Sequence, residues 1–535
     1  MLASPAAAGH DPVADGFRDT RHTKEHAMPR NVLLITTDQQ RYDALGCNGG
    51  TVAKTPVLDA LARDGINYRQ ARDQCAVCMP ARATILTGQH IRRHGVRSNG
   101  IPLPADHPSL THVLHDAGYA TALIGKAHFE PHAATDYFEN TAAGAGSHGP
   151  HRGFDYMELA GHTGRAGRSL FHYPKWLAET HPDAVAGFHE YTARGKPSGL
   201  GGGDTGAPQV AHNPIAIEHY HTHWTARRSI DWLAKRRTDE NWFCWMSFPD
   251  PHHPWDVPDD ARKRFDWRDV PLPEGYPGSR EACEAILSTK PHHWLDWYRG
   301  RAQFNFEVPP DYVPATTTAD QIREVNAIVH AKNELIDEAV GQVMDYLAER
   351  GWAADTDIFF TADHGELQGD FGMLFKGPYH VDALTRAPLI WRPAPNRHIA
   401  PADIAAPVGH VDIAPTILAA LGMDIPADMQ GRPLPQSPGD RTHERVITEW
   451  YDDYDGNAVT MRSMVRNGYL VTAYAPTNQY DGSEGELYAL ADDPHQWRNL
   501  WDDSAMAAVK ADLLADMRDN VPEGRADPLE RVALV

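Results

Sequence analysis

The residues with the most specific chemistry in this sequence are Cys78-Met79-Pro80-Ala81-Arg82. Proline is favoured in the first turn of a helix, so Pro80 predicts a helix that begins close to Cys78. The N-terminus of a helix favours negative charge, and Arg82, one turn further on, would reach the same position. The pattern therefore predicts either a thiol that works beside an anion or a small side chain buried at a helix start.

Polar residues also follow each of four predicted buried strands, whose apolar runs are typical of parallel sheets. They are Asp38 after 31–37, Lys126 after 119–124, His252 after 242–248, and Asp363 with His364 after 357–361. Ligands of open α/β sheets bind beyond the carboxyl ends of the strands. We therefore expect these side chains to lie close together.

The elements that must position these residues alternate between strands and helices. Thr55 and Pro56 open a helix that Gly65 ends, and a second helix is predicted at 109–117. A long helix at 320–350 carries its apolar residues on one side. The alternation predicts an α/β fold, a mostly parallel sheet between layers of helices.

Two changes in composition divide the chain. Residues 130–225 are rich in Gly, His and Pro and favour an insertion or a set of long loops. Short strand-like runs at 446–450, 458–465 and 469–474, with a helix near 506–517, predict a small antiparallel sheet with one helix. We expect a disordered extension at 1–28, a catalytic domain at 29–435 and a C-terminal subdomain at 436–535.

Composition excludes several functions. The 535 residues include 50 Lys and Arg against 72 Asp and Glu, a net charge of −22, so neither nucleic acid nor a membrane is an expected partner. Five cysteines imply no disulfide framework. No run approaches the roughly 18 apolar residues of a spanning helix, and residues 1–28 lack a signal peptide's apolar core, so the cytoplasm is the predicted compartment. The sequence leaves open whether the chain forms a homo-oligomer.

A family resemblance combines these features. Cys78-Met79-Pro80-Ala81-Arg82, with Thr87-Gly88 following, resembles the signature of the type I sulfatases, and Gly125-Lys126-Ala127-His128 resembles their second motif. Further landmarks are Asp363-His364-Gly365-Glu366, Lys376, His410 to Thr416, Glu486-Leu487-Tyr488 and Asn499-Leu500. The resemblance implies an alkaline-phosphatase-like fold and hydrolysis of organic sulfate monoesters, small molecules, to an alcohol and sulfate.

The resemblance also implies the nucleophile and the metal ligands. In that family a formylglycine-generating enzyme, the expected partner in maturation, oxidises the cysteine to formylglycine. The hydrated aldehyde attacks sulfur and forms a covalent sulfo-enzyme. The ligands of one divalent metal ion, Ca²⁺ or Mn²⁺, would be Asp38, Gln39, the modified Cys78, Asp363 and His364. Many sulfatases have Asp at position 39 and Asn at position 364, and an imidazole at 364 favours Mn²⁺ or Zn²⁺ over Ca²⁺.

The remaining roles follow the same resemblance. Arg82 would activate the nucleophile, and His252, with His253 as the alternate, would protonate the leaving alcohol. His128 would accept the proton that is lost when the aldehyde re-forms. Lys126 and Lys376 would bind the non-bridging oxygens.

Two alternatives stay open at this point. The phosphonate monoester hydrolases, which include phosphodiesters among their substrates, share the Asp-Gln, Pro-Ala-Arg and Asp-His variants. They carry Tyr and Thr where this chain has Lys126 and His128, which favours a sulfatase. A chain in which Cys78 is never oxidised would instead be a silent anion-binding protein.

Overall fold

The structure is a computed structural model that describes residues 31–132, 134–161, 171–185, 202–211, 213–309 and 311–534. The predicted extension at 1–28 lies outside these residues. Among the helices of the described residues, none has the length and apolar character needed to cross a membrane.

The larger sheet of the described chain has eight strands. They are β1 (Asn31–Asp38), β2 (Ile66–Arg72), β3 (Ala120–Gly125), β4 (Tyr156–Leu159), β5 (Trp242–Pro251), β6 (Thr356–Ala362), β7 (Leu389–Arg392) and β8 (Ala402–Gly409). Their order is β4-β3-β5-β1-β6-β7-β2-β8. Only β7 runs antiparallel to its neighbours among these strands. The predicted α/β fold with a mostly parallel sheet is confirmed.

Helices accompany this sheet, and several of them cover its two faces. They are α1 (Pro56–Arg63), α2 (Cys78–Thr87), α3 (Ile91–His94), α4 (Leu110–Asp116), α5 (Phe138–Ala145), α6 (His172–Thr180), α7 (His221–Leu233), α8 (Asp259–Arg262), α9 (Arg280–Leu287), α10 (His293–Tyr298), α11 (Ala319–Glu349), α12 (Asp382–Thr385) and α13 (Ile413–Ala420). Side chains alternate across a strand. Accordingly, Leu33 and Ile35 of β1 pack with α1, α7 and α11, whereas Val32 and Leu34 pack with α2, α4 and α13.

The segment at 130–225 differs from the sequence-based prediction. It contributes β4, which pairs in parallel with β3 at the edge of the larger sheet, as well as α5 and α6. The strand has only four residues, Tyr156–Leu159, and so lacks the longer apolar run by which β1, β3, β5 and β6 are recognised. The segment is therefore part of the sheet and its covering layer.

A second, four-stranded antiparallel sheet forms from the C-terminal part of the chain. It has the order β12-β11-β10-β9, with β9 (Val446–Tyr454), β10 (Asn457–Arg466), β11 (Tyr469–Tyr474) and β12 (Gly485–Ala489). Helix α14 (Ala507–Asp519) packs Leu513 and Met517 against this sheet. The predicted small sheet with one helix is present, and β12 is the strand that the apolar pattern did not predict.

A buried lysine links the second sheet to the rest of the molecule. Lys290, which follows α9, donates a hydrogen bond to Tyr488 Oη of β12, and its Nζ lies 3.8 Å from Glu486 Oε2. Its ammonium also lies 4.7 Å from the ring centre of Trp294 and 4.9 Å from that of Phe371. We call these five residues the lysine cage. Burial lowers the pKa of Lys290 to about 8, although Glu486 acts to raise it.

Candidate active site

The polar residues that follow the strands converge at one edge of the larger sheet. Asp38 is the last residue of β1, and Asp363 and His364 come directly after β6, the neighbouring strand. Lys126 follows β3, and its ammonium donates to Asp38 Oδ2. The parallel register of these strands brings their carboxyl ends together, as the sequence predicts.

Cys78 lies at the centre of this edge as the first residue of α2. Its Sγ lies 3.3 Å from His364 Nε2 and 3.6 Å from Asp38 Oδ1, and its side chain is fully buried. Burial, together with the nearby Asp38, raises the pKa of the Cys78 thiol well above its ordinary value. An unmodified Cys78 is therefore a neutral thiol, although it stands at a helix N-terminus.

Arg82 is fully buried one turn along α2 and ties three parts of the site together. Its Nε donates to Asp363 Oδ2 over 2.8 Å, and its Nη1 donates to Ser247 Oγ over 2.8 Å and to the Lys126 carbonyl over 2.9 Å. Burial acts to lower the pKa of Arg82, but Asp363 and Asp38 raise it overall. Its Nη2 has no hydrogen-bond partner within the described residues. That atom is a buried cationic donor available to an anion.

Four residues of this edge form a compact ligand set. One donor atom from each of Asp38, Cys78, Asp363 and His364 lies within 4.8 Å of the others, and all four side chains are buried. Burial lowers the pKa of His364 despite the nearby Asp363, so the imidazole is neutral and able to coordinate a metal. Two carboxylates with one imidazole suit a divalent cation such as Mn²⁺. The donor set therefore fits the expected metal.

Gln39, the fifth predicted ligand, lies beside this set and has other partners. Its side-chain oxygen accepts from Lys376 Nζ over 2.9 Å, and its side-chain nitrogen donates to Glu366. Its backbone N–H donates to Asp363 Oδ1 over 2.9 Å. Coordination of a metal by the Gln39 side chain would compete with Lys376 and stays a prediction.

His252 and Lys376 meet on the other side of Cys78. The Lys376 ammonium lies 3.2 Å from His252 Nε2 and also donates to Glu307 Oε2. The His252 Nδ1 atom donates to the His253 carbonyl, because a carbonyl oxygen can only accept. The Nε2 atom of His252 is therefore the one directed toward Lys376.

His128 is buried on the loop after β3 and has a positive φ of 59°. Its ring stacks on His132 at 3.9 Å between centres, and neither ring nitrogen has a hydrogen-bond partner in the described part of the chain. Burial, with Lys126 and Arg82 close by, lowers the pKa of His128 far below its ordinary value. His128 is therefore unprotonated, the state from which a proton acceptor starts, and its lowered pKa makes it a weak base.

Sequence reasoning missed three residues that complete the site. Glu307, from the loop after α10, pairs with Lys376, and Glu139 of α5 accepts the backbone N–H of His128 over 2.9 Å. Lys332 of α11 donates to the His252 carbonyl over 3.0 Å. Lys332 had a sequence signal, because it occupies a position on the apolar side of its helix. Neither Glu307 nor Glu139 had such a signal in the sequence.

Comparison with known proteins agrees with this geometry. The family model described as Sulfatase matches residues 30–423. A second model, described as N-sulphoglucosamine sulphohydrolase, C-terminal, matches residues 369–522.

Individual relatives cover almost the whole chain. The Multifunctional alkaline phosphatase superfamily protein PehA of Trinickia caryophylli is 28% identical, over 90% of this chain and 93% of its own length. The Arylsulfatase of Clostridium perfringens is 27% identical, over 88% and 90%. The crystal structure of the phosphonate monoester hydrolase of Agrobacterium radiobacter is 25% identical, with a TM-score of 0.74 over 92% of this chain and 95% of that one. The fold is accordingly alkaline-phosphatase-like.

Proposed function

The chain belongs to the sulfatase family, and we propose that it hydrolyses organic sulfate monoesters through a nucleophile formed at residue 78. One observation carries the proposal: Arg82, Lys126 and Lys376 are buried together around Cys78 in a protein of net charge −22. Buried cations are unfavourable unless an anion or a carboxylate balances them. Asp363, Asp38 and Glu307 already pair with these three cations. The Arg82 Nη2 atom, however, is a buried donor with no partner among the described residues, and this donor favours a small anionic substrate.

We propose that Cys78 is converted to formylglycine by a separate enzyme. When present, the hydrated aldehyde would supply one hydroxyl that attacks sulfur and a second hydroxyl whose loss of a proton re-forms the aldehyde and releases sulfate. The start of α2 and the ammonium groups of Lys126 and Lys376 hold the sulfate oxygens beside residue 78. The unpartnered Nη2 of Arg82 is a further donor for the same group.

Asp38, Cys78, Asp363 and His364, with Gln39 beside them, would hold one divalent cation. When bound, the cation neutralises charge on the sulfate oxygens and lowers the pKa of the attacking hydroxyl. Arg82 orients Asp363 through its 2.8 Å hydrogen bond. Lys126 does the same for Asp38.

Two histidines would move the protons. His252 gives the Nε2 proton to the leaving alcohol, and the Glu307 carboxylate, 3.5 Å away, stabilises the imidazolium that this requires. Lys332 fixes the backbone at His252 and so the direction of the ring. The neutral His128 accepts the proton that leaves residue 78 when sulfate is released.

The structural similarity to a phosphonate monoester hydrolase supports a second candidate, hydrolysis of phosphonate monoesters or phosphodiesters in the same site. Gln39 and His364 are the variants that this group shares with the chain. Lys126, bonded to Asp38, and the buried His128 favour the sulfatase.

Turnover of 4-nitrophenyl sulfate and of 4-nitrophenyl phenylphosphonate by the same preparation separates the two candidates. We expect the larger kcat/KM for the sulfate, and a clear preference for the phosphonate would reject our choice. Mass spectrometry of the Cys78 peptide must accompany the assay. An unmodified cysteine in an inactive native protein would instead favour the anion-binding alternative.

A further inference from the structure

Glu307 places a carboxylate next to the reacting group. One of its oxygens, a ring nitrogen of His252 and Cys78 Sγ lie within 4.8 Å of one another. The same carboxylate pairs with Lys376 and lies 3.7 Å from His253 Nε2. A fixed negative charge here is unexpected, because the substrate's own anionic group must bind in this space.

We propose that Glu307 determines the charge of the substrate, favouring esters whose reacting group carries one negative charge over those that carry two. The proposal rests on the function proposed above, since it concerns the group bound beside residue 78. Sulfate monoesters, phosphonate monoesters and phosphodiesters carry one charge. Phosphate monoesters, with a second pKa of about 6, carry two at neutral pH and above.

The physical basis is electrostatic repulsion in a buried site. Two like charges about 5 Å apart repel strongly where little water screens them, and a dianion experiences roughly twice the repulsion of a monoanion. Lys376 cannot fully compensate, because two of its three N–H donors are already directed at Gln39 and Glu307. The Glu307 carboxylate therefore disfavours an ester whose reacting group carries two negative charges more than one that carries a single charge.

The surrounding loop prevents Glu307 from simply moving away. The Asn305 side chain donates to the Lys376 carbonyl over 3.0 Å and accepts the Glu307 backbone N–H over 2.8 Å. Gln209 donates to the Glu307 carbonyl over 2.7 Å. Glu307 and Lys376 are thus held together through the backbone as well as through their charges.

The test compares two esters with the same leaving group, 4-nitrophenyl phosphate and 4-nitrophenyl sulfate, at about pH 8. We expect Glu307→Gln to raise the ratio of kcat/KM for phosphate over sulfate by about tenfold or more. Glu307→Asp, which keeps the charge, should leave the ratio within about threefold of the wild type. Because the measurement is a ratio on one preparation, any loss of correctly folded protein cancels.

Glu338→Gln is the matched control for net charge, since this exposed glutamate of α11 pairs with Arg264 outside the site. It should leave the ratio unchanged. An unchanged ratio in Glu307→Gln, or an equal loss for both esters, would overturn the proposal and assign Glu307 to positioning alone.

A binding measurement separates this inference from the proposed function. If the wild type turned over neither ester, the proposed function would fail, but calorimetry with inorganic sulfate, a dianion, would still test Glu307. Glu307→Gln should bind sulfate several-fold more tightly than the wild type, and equal affinities would contradict the inference.

Discussion

The active site and the lysine cage each contain a buried lysine, and the two surroundings shift the lysine pKa in opposite directions. Burial acts to lower the pKa of both Lys376, in the active site, and Lys290, in the lysine cage. Around Lys376, the neighbouring carboxylates of Glu307 and Asp38 reverse this effect and raise its pKa above the ordinary value. Around Lys290, the aromatic rings and Glu486 do not offset the effect of burial, and the pKa of Lys290 falls to about 8. The active site thus maintains charge for a ligand, whereas the cage uses its lysine to hold two sheets together.

The strongest test of this contrast replaces a cysteine in each region. Cys78→Ala should reduce kcat/KM for an aryl sulfate by about 10⁴-fold or more, because the nucleophile is lost. Its Tm should change by less than about 3 °C, since alanine suits a helix start. Cys283→Ala, on the helix before Lys290, should keep its activity and lose about 1 kcal/mol of stability. A Cys78→Ala protein that still hydrolyses the aryl sulfate would contradict the assignment of the nucleophile to residue 78.

A pair of histidines gives the next largest difference. His252→Ala should slow an alkyl sulfate by about 10²-fold or more, and 4-nitrophenyl sulfate far less, because only a poor leaving group needs the proton. His293 is the counterpart near the cage, where its Nε2 lies 2.8 Å from the Pro378 carbonyl. His293→Ala should lower the Tm and affect both esters equally. Equal losses in His252→Ala would argue against the general acid.

The two lysines themselves provide a third comparison. Lys376→Met should reduce kcat/KM by about 10²–10³-fold, since a donor to the transition state is removed. Lys290→Met should leave kcat/KM within about threefold but lower the free energy of unfolding by about 1–3 kcal/mol, because buried acceptors lose their donor. Assays and urea denaturation of both variants would check this. Similar profiles for the two variants would remove the distinction between the regions.

The smallest effect is a pH dependence confined to the cage. Unfolded lysine has a pKa of about 10.4, and the folded value for Lys290 is about 8. Between these values the unfolded chain binds more protons, so stability rises with pH, and below about pH 8 both states are protonated. The stability of the wild type relative to Lys290→Met should therefore increase by about 1–3 kcal/mol from pH 7.5 to 10. Urea denaturation would reject this interpretation if the difference in unfolding free energy between the wild type and Lys290→Met did not change with pH.

The central strands and the residues that follow them could be predicted from the sequence. Long apolar runs such as 31–37 identify strands buried on both faces, and a parallel arrangement brings Asp38 and Asp363 to one edge. The structure brings these residues together as expected. The short β4 and β7 escaped the pattern, because four residues carry too little periodicity. The longer β2 and β8, in which polar and apolar residues are mixed, were not predicted either.

The second group of site residues depends on tertiary contacts that no local pattern encodes. Glu307 reaches Lys376 from 69 residues away, along an irregular loop, and its carboxylate resembles that of any solvated acid in the sequence. Lys332 is the exception, since a lysine within an apolar helix face implies a buried partner. The roles assigned to His128, His252 and Gln39 stay predictions until variants are assayed.

The burial of Cys78 has a consequence for the order of biosynthesis. Every residue of α2 is buried, so an enzyme that modifies Cys78 must act before the strands close around this helix. His364, which completes the surroundings of Cys78, emerges 286 residues later. At about 5–20 residues per second, translation leaves roughly 15–60 s in which the segment is still accessible. If Cys78 is converted as proposed, each molecule has a single interval, before the chain folds around α2, in which to acquire its nucleophile.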